Sequence, residues 1–332
     1  MDHATPIVLD LDPDFTPVRN CLSFSTSTHH ALRTFDFPST IEPHIAVQGD
    51  DGGHLPLFDA DGSPTGTTFD TEATEQNRAA SVILTTRLRQ GNDLLRLFLA
   101  TDIVRAWGVE SIGAVIPYLP FARQDRRTSR LEPFSLKVLA GLINAQNYRS
   151  VHVFDPHSDG AEATVDRLVP HSNRTLAWHA WNSVAQRNGV SPEEVIIISP
   201  DAGAYKKIFK TFSRQNASEP LADIAVCSKV RDTSTGALSG TRVDRESLDG
   251  RPCLIVDDIC DGGGTFVLLA EELRRRGAGS VSLVVSHGIF SKGTGVFNGL
   301  IDTIHTTNSF APLFPRDGTV IVETRPLTIA LR

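Results

Sequence analysis

Three carboxylates, three glycines and a threonine fall within the stretch Asp257 to Thr265, directly after the apolar run CLIV. An apolar run of this kind reads as a buried strand, and open α/β sheets bind ligands at the carboxyl ends of their strands. Glycines let the backbone come close to a ligand. The helical pattern TFVLLAEELRRRGAG begins at once. The loop Asp261, Gly262, Gly263, Gly264 and Thr265 therefore feeds free N–H groups at a helix start, an anion site suited to phosphate, and Thr265 adds a hydroxyl. Asp257 and Asp258 do not suit phosphate; they suit sugar hydroxyls or a metal. Acids beside a phosphate cradle point to a sugar phosphate. The pattern is neither a Walker A loop nor GxGxxG.

Other chemistry-bearing residues recur at strand ends. In AVIPYLPFARQDRR (Ala114–Arg127) a strand runs into a proline-punctuated turn that presents Arg123, Gln124, Asp125, Arg126 and Arg127. Arginine and glutamine can read or stack on a base, and arginines neutralise a triphosphate. HVFDPHSDGAEA (His152–Ala163) puts Asp155, His157 and Asp159 at alternate positions. IIISPDAGAYKK places Asp201 after a buried run, and VCSKVRD places Lys229 and Arg231 two apart at a strand end. Magnesium takes a few carboxylates together with phosphate oxygens and waters, so single acids from separate strand ends can serve it.

The elements that must position these residues alternate. Candidate strands are PIVLDL, HIAVQ, SVILTT, SIGAVIPYL, SVHVFD, EVIIISPD, DIAVCSK, PCLIVDD, SVSLVVSHG and DTIHTTN. Several are apolar on both parities, as in strands covered on both faces. Between them lie DLLRLFLATDIVRAWG, read as amphipathic, SLKVLAGLINAQ, with Ser135 as its cap, and TFVLLAEELRRRGAG, read as acids early and arginines late. This alternation means α/β with mostly parallel sheets. Two halves of about equal size are expected, 1–168 and 169–332, meeting near VDRLVPHSNR. The Gly-, Asp- and Thr-rich segment Gly49–Arg78 reads as a long hairpin or mobile loop.

Taken together the motifs resemble those of the ribose-phosphate pyrophosphokinase (PRPP synthetase) family. VDDICDGGGT resembles the phosphoribosyl-pyrophosphate loop of the wider phosphoribosyltransferase-like superfamily, and AVIPYLPFARQDRR resembles the family's ATP-binding segment. The resemblance implies two tandem phosphoribosyltransferase-like domains, each a mostly parallel sheet flanked by helices. It implies transfer of pyrophosphate from Mg–ATP to the anomeric hydroxyl of ribose 5-phosphate, giving PRPP and AMP. It assigns Lys229 and Arg231 to catalysis at the root of a flexible loop, DTSTGALSGTRV. Arg123, Gln124, Asp125, Glu42 and His157 go to ATP, and Asp257, Asp258 and Asp261 to Thr265 to ribose phosphate. Mg2+ falls to His157, Asp201 and Asp155. A proline replaces the family's leucine between Asp155 and His157. Glu42 lies in FPSTIEPHIAV, where Thr40 and Ile41 replace an Asp-Gly pair. DPHSDG, SPDAGAYKK and VVSHGIFSKG resemble a divergent branch associated with NAD salvage, which raises ADP-ribose as a second candidate acceptor. The glycine loop by itself would also suit a phosphoribosyltransferase, and the family resemblance would also suit a non-catalytic regulatory subunit. The resemblance implies a homo-oligomer, dimer or hexamer.

Bulk properties bound the rest. The chain has 332 residues, enough for about two domains. Its 40% hydrophobic and 21% charged residues can build a core and exclude global disorder. A formal charge of −7 argues against non-specific nucleic-acid binding. Four cysteines without a CxxC pair argue against a zinc knot and suggest a reducing compartment. With no basic–apolar leader and no membrane-length apolar run, a soluble cytoplasmic protein is expected.

Overall fold

The structure, a computed structural model, describes residues 7–12, 15, 17, 22–23, 32–35, 44–47, 54–58, 64–70, 72–213, 220–231, 238–311 and 319–329. The chain divides into two compact units, Met1–His171 with Leu327–Arg332, and Ser172–Pro326. Among the described residues no helix is long and apolar enough to cross a membrane.

The first unit runs β1 (Ile7–Asp10), β2 (Leu22–Ser23), β3 (Leu32–Phe35), β4 (His44–Val47), β5 (His54–Phe58), β6 (Pro64–Asp70), α1 (Glu75–Ala79), β7 (Ser81–Thr85), α2 (Gly91–Ala106), β8 (Ser111–Val115), α3 (Ser135–Asn144), β9 (Val151–Phe154), α4 (Asp159–Thr164) and β10 (Leu168–His171). Its sheet has the order β10-β9-β8-β7-β1-β2-β5-β6. The strands from β10 to β2 are parallel, and β5 and β6 add an antiparallel hairpin at the edge. The hairpin lies within the Gly49–Arg78 segment, where the hairpin reading applies to the described strands, while Glu75–Arg78 belongs to α1. Among the described residues, β3 and β4 pair only with each other. Parallel neighbours need a crossover, and α2, α3 and α4 supply it between β7, β8, β9 and β10.

Two expectations for the helices need correction. Inward Leu97, Ala100, Thr101 and Val104 of α2 are buried, but Leu95 and Leu99 are exposed on its outer side, so α2 is not cleanly amphipathic. Ser135 does not cap α3: it is the first helical residue, and the cap position is Phe134, without a side-chain cap bond. Pro133 pushes the preceding backbone toward extended geometry and the helix starts directly behind it.

The second unit runs α5 (Arg174–Asn188), a 3-10 turn (Pro192–Glu194), β11 (Ile196–Ser199), α6 (Ala202–Thr211), β12 (Asp223–Arg231), β13 (Leu238–Val243), β14 (Pro252–Cys260), α7 (Gly264–Arg275), β15 (Ser280–Gly288), a second 3-10 turn (Gly295–Phe297), β16 (Thr303–Thr307) and β17 (Ile321–Arg325). The sheet order is β13-β12-β11-β14-β15-β16-β17, parallel except for β13. Leu254 and Val256 of β14 pack with Leu176, Ala180 and Val184 of α5. Cys253 and Ile255 pack with Phe266, Leu269 and Leu273 of α7 on the other face. Both parities of β14 are apolar because both faces are covered.

β11 leads through α6 to β12 on one side, while β14 leads through α7 to β15 on the other. The centre of this sheet, between β11 and β14, is therefore a topological switch point. Crevices for ligands open at the carboxyl ends of such strands.

Candidate functional site

In the second unit the carboxyl ends of β11 and β14 carry Asp201, Asp257 and Asp258 side by side across the switch point. Asp201 caps α6: its Oδ1 accepts the Ala204 N–H at 3.0 Å, and the Ser199 hydroxyl donates to its carbonyl at 2.8 Å. Asp258 is buried and its N–H donates to Oδ1 of Asp257 at 2.9 Å. Asp257 keeps a partly exposed face, yet protein surrounds its carboxyl. Burial first, then the charges of Asp258 and Asp201, hold its pKa well above the ordinary carboxylate range.

The glycine loop follows. Gly263 is the N-cap of α7 with φ 78°, a left-handed conformation that favours glycine, and no side chain caps the helix. The N–H groups of Phe266 and Val267 turn back to the Gly263 carbonyl, while those of Gly264 and Thr265 lie ahead of the first helical acceptor. A Cβ on Gly263 would lie 2.6 Å from Cζ of Phe297, so ring and loop are in close contact. The expected acids-early order fails here: the first turn of α7 has no acid. Glu272 lies near the other end and pairs with Arg275 at 2.8 Å and Arg276 at 2.6 Å. An uncapped helix start without acids keeps its positive dipole end for an anion.

Lys229 and Arg231 lie on β12, opposite Thr241 and Leu238 of β13, with a register shift between Val230 and Arg231. Their side chains lie outside the described residues. Of the segment expected to form the flexible loop, Leu238–Val243 is instead strand β13; residues 232–237 are not described. Glu42 also lies outside the described residues.

The first unit brings two motifs together. Arg123 and Gln124 are exposed on the turn after β8, and the Gln124 N–H donates to the Phe121 carbonyl at 2.8 Å. Asp125 Oδ2 accepts the Ser158 hydroxyl at 2.7 Å, and Ser158 also caps α4 by accepting the Gly160 N–H at 3.3 Å. The ARQDR turn is thereby tied to the DPHSDG turn, with exposed His157 next to the tie. Asp155 sits at the end of β9 with φ 46° and is buried, its N–H donating to the His171 carbonyl at 2.7 Å. The expected metal residues therefore divide: Asp155 and His157 belong to the first unit and Asp201 to the second. Among the described residues no group of three or more His, Cys, Asp or Glu could hold a metal by itself.

Sequence reading missed several residues near these turns. At the end of β7, Thr85 donates to Asp10, and the buried guanidinium of Arg87 grips Asp12 through two bonds of 2.6 Å. The Arg87 guanidinium also lies 5.1 Å from the centre of the Phe15 ring. The only local signal for Ser158 is a serine directly before an acid-bearing helix start; its partner Asp125 is 33 residues away.

Comparisons with known proteins agree with this geometry. Residues 67–146 match the N-terminal domain of ribose phosphate pyrophosphokinase, and residues 173–298 match the phosphoribosyl transferase domain. A ribose-phosphate pyrophosphokinase of Granulibacter bethesdensis is 31% identical over 212 residues, covering 64% of this chain and 65% of the relative. Another, of Hyphomonas neptunium, is 30% identical over 233 residues, covering 70% of this chain and 72% of the relative. The crystal structure of phosphoribosylpyrophosphate synthetase from Mycobacterium smegmatis superposes with a TM-score of 0.65 at 20% identity. It covers 90% of this chain and 87% of that one, which establishes the shared α/β fold. With two family domains in order and relatives matched across both, the chain belongs to the ribose-phosphate pyrophosphokinase family of enzymes.

Proposed function

We propose that the protein transfers the diphosphoryl group of Mg–ATP to the anomeric hydroxyl of ribose 5-phosphate, yielding PRPP and AMP. The observation that carries this reading is the second unit's switch point, where an acid pair stands beside an uncapped glycine helix start. The glycine loop Asp261 to Thr265 takes the 5-phosphate, and Asp257 and Asp258 take the ribose hydroxyls. Arg123, Gln124 and Asp125 take ATP, with His157 and Glu42 beside it. Lys229 and Arg231 stabilise the charge of the transferring phosphates. A bond forms between the anomeric oxygen and the β-phosphorus, the bond from that phosphorus to the α,β-bridging oxygen breaks, AMP leaves, and the hydroxyl proton passes to solvent. The protein's share is positioning and charge neutralisation.

Magnesium fits this chemistry. Burial first, then the neighbouring charges of Asp258 and Asp201, disfavour the ionised form of Asp257, and a nearby cation would relieve this. A site short of three protein ligands suits an ion that fills its shell with substrate phosphates and waters. Asp201 would hold it on the acceptor side, beside the ribose-binding Asp257 and Asp258, and His157 with Asp155 on the ATP side. When bound it would neutralise the β- and γ-phosphates. The family resemblance further supports a cytoplasmic homo-oligomer, dimer or hexamer, which light scattering would test.

The deciding experiment incubates the protein with Mg–ATP and either ribose 5-phosphate or ADP-ribose and identifies products by mass. AMP and PRPP with ribose 5-phosphate are expected. AMP with ADP-ribose alone would move the acceptor assignment, and no AMP with either would refute the enzyme reading.

A further inference from the structure

The turn after β15 is built against the glycine loop. The N–H groups of Ile289 and Phe290 both donate to the Cys260 carbonyl, at 2.8 and 3.1 Å. Phe290 is held at φ 46° and Gly293 at φ 73°, and the Gly293 N–H closes the turn onto the Phe290 carbonyl at 2.8 Å. A left-handed phenylalanine persists only where its surroundings over-determine it. Here the Phe290 ring packs edge-on against Phe297, 6.3 Å between centres, and Phe297 in turn lies on Gly263. The turn and the loop are one packed assembly.

Lys292 rides on this turn. A Cβ on Gly262 would lie 3.5 Å from its Cε, 3.6 Å from its Cδ and 3.9 Å from its Cγ, ordinary van der Waals contact. The aliphatic stem therefore covers the Gly262 backbone, and Nζ is one bond further on. The residue is exposed, and among the described residues no carboxylate pairs with its ammonium. Asp261 opens the glycine loop, yet the cation is left for another anion. Long cationic side chains lay the stem on a surface and keep the head in water. A stem already laid down leaves less conformational entropy to lose on binding.

We propose that Lys292 is a specificity-determining residue for the acceptor, its ammonium binding the terminal 5-phosphate held by the glycine loop. This rests on the functional reading above. A cation added to a helix N-terminus favours a terminal phosphate monoester, which carries nearly two charges, over an internal phosphodiester, which carries one. Lys292 thus selects a phosphorylated ribose over free ribose, and ribose 5-phosphate over a ribose whose phosphate is esterified further.

The test uses calorimetry of ribose 5-phosphate and of inorganic phosphate without ATP, together with steady-state kinetics, on the wild type, Lys292→Met and Lys292→Arg. Methionine keeps the stem on Gly262 and removes only the charge. We expect Lys292→Met to bind both ligands about tenfold more weakly and to raise KM for ribose 5-phosphate by about tenfold, as for loss of one charge-assisted bond. Its kcat and its KM for ATP should stay within about twofold, and Lys292→Arg should recover most of the affinity, because the lost contribution is ionic. Unchanged affinity in Lys292→Met, or an equal loss in Lys292→Arg, overturns the assignment. If the wild type makes PRPP while Lys292→Met binds as tightly, the Lys292 role alone falls. If the wild type releases no AMP, the functional reading falls, and the inorganic phosphate titrations still decide whether Lys292 binds phosphate.

Discussion

The N–H of Asp258 donates to the carboxylate of Asp257 at 2.9 Å, so two successive acids in the last part of β14 crowd together. A strand normally sends neighbours to opposite faces, but here the backbone of one acid and the side chain of the other close on each other. Burial and the charges of Asp258 and Asp201 then raise the Asp257 pKa. Such an arrangement is costly for the empty protein and useful once sugar hydroxyls or a cation arrive.

Asp257→Asn should accordingly stabilise the ligand-free protein at neutral pH. An acid whose folded pKa is raised contributes its stability in full below its unfolded pKa of about 3.9 and loses it as pH rises through the folded value. The variant lacks that loss. Its melting temperature at pH 7.5 should exceed the wild type's while its affinity for ribose 5-phosphate falls. Equal or lower melting temperature would contradict the strained-pair account.

Gly263→Ala meets two obstacles, a φ of 78° and the Phe297 ring 2.6 Å from the new Cβ. The left-handed backbone alone costs about 1 to 3 kcal/mol. Urea unfolding should show that loss or more. Adding Phe297→Ala should cost Gly263→Ala less than it costs the wild type, because the clash is removed. Strict additivity in the double-mutant cycle would show that ring and loop are not coupled.

Asp10 offers a pH test in the first unit. Burial, helped by Asp12 and opposed by the Thr85 hydroxyl, pushes its pKa up to about 7. The sign is the same as for Asp257. Between about pH 4 and 7 the wild type should lose up to about 1.4 kcal/mol per pH unit relative to Asp10→Asn. Parallel stability–pH curves for the two proteins would remove this assignment.

Lys229→Ala should lower the rate of AMP release by about a hundred- to a thousandfold, the usual cost of removing one group that stabilises transition-state charge. The melting temperature should shift by no more than about 2 °C, since a single strand-end cation contributes little to folding. Near-normal turnover would take Lys229 out of the catalytic step.

The parts legible in the sequence were local. VDDICDGGGT carries its strand, acids, glycine turn and helix start in one continuous stretch, and the β-branched runs of β11, β14 and β15 are apolar on both parities. The short strands β10, β13 and β17 were not read, because LVPH, LSGTRV and IVETR mix polar residues and proline with few apolar ones. Cap identity at α3 followed from Pro133 rather than from the serine. The Asp125–Ser158 tie, the Asp12–Arg87 pair and the Lys292 stem over Gly262 join residues 30 or more positions apart. No local pattern announces such a contact; only the sheet order creates it.

In the proposed reaction the anomeric oxygen of ribose 5-phosphate attacks the β-phosphorus of ATP. Ribose 5-phosphate carrying 18O at the anomeric hydroxyl, turned over with Mg–ATP under conditions where solvent exchange is measured in parallel, tests it directly. AMP is expected as the nucleotide product, with 18O retained in the bridge between C1 and the diphosphate. Release of ADP, or AMP formation with no 18O in that bridge beyond the exchange control, would contradict it.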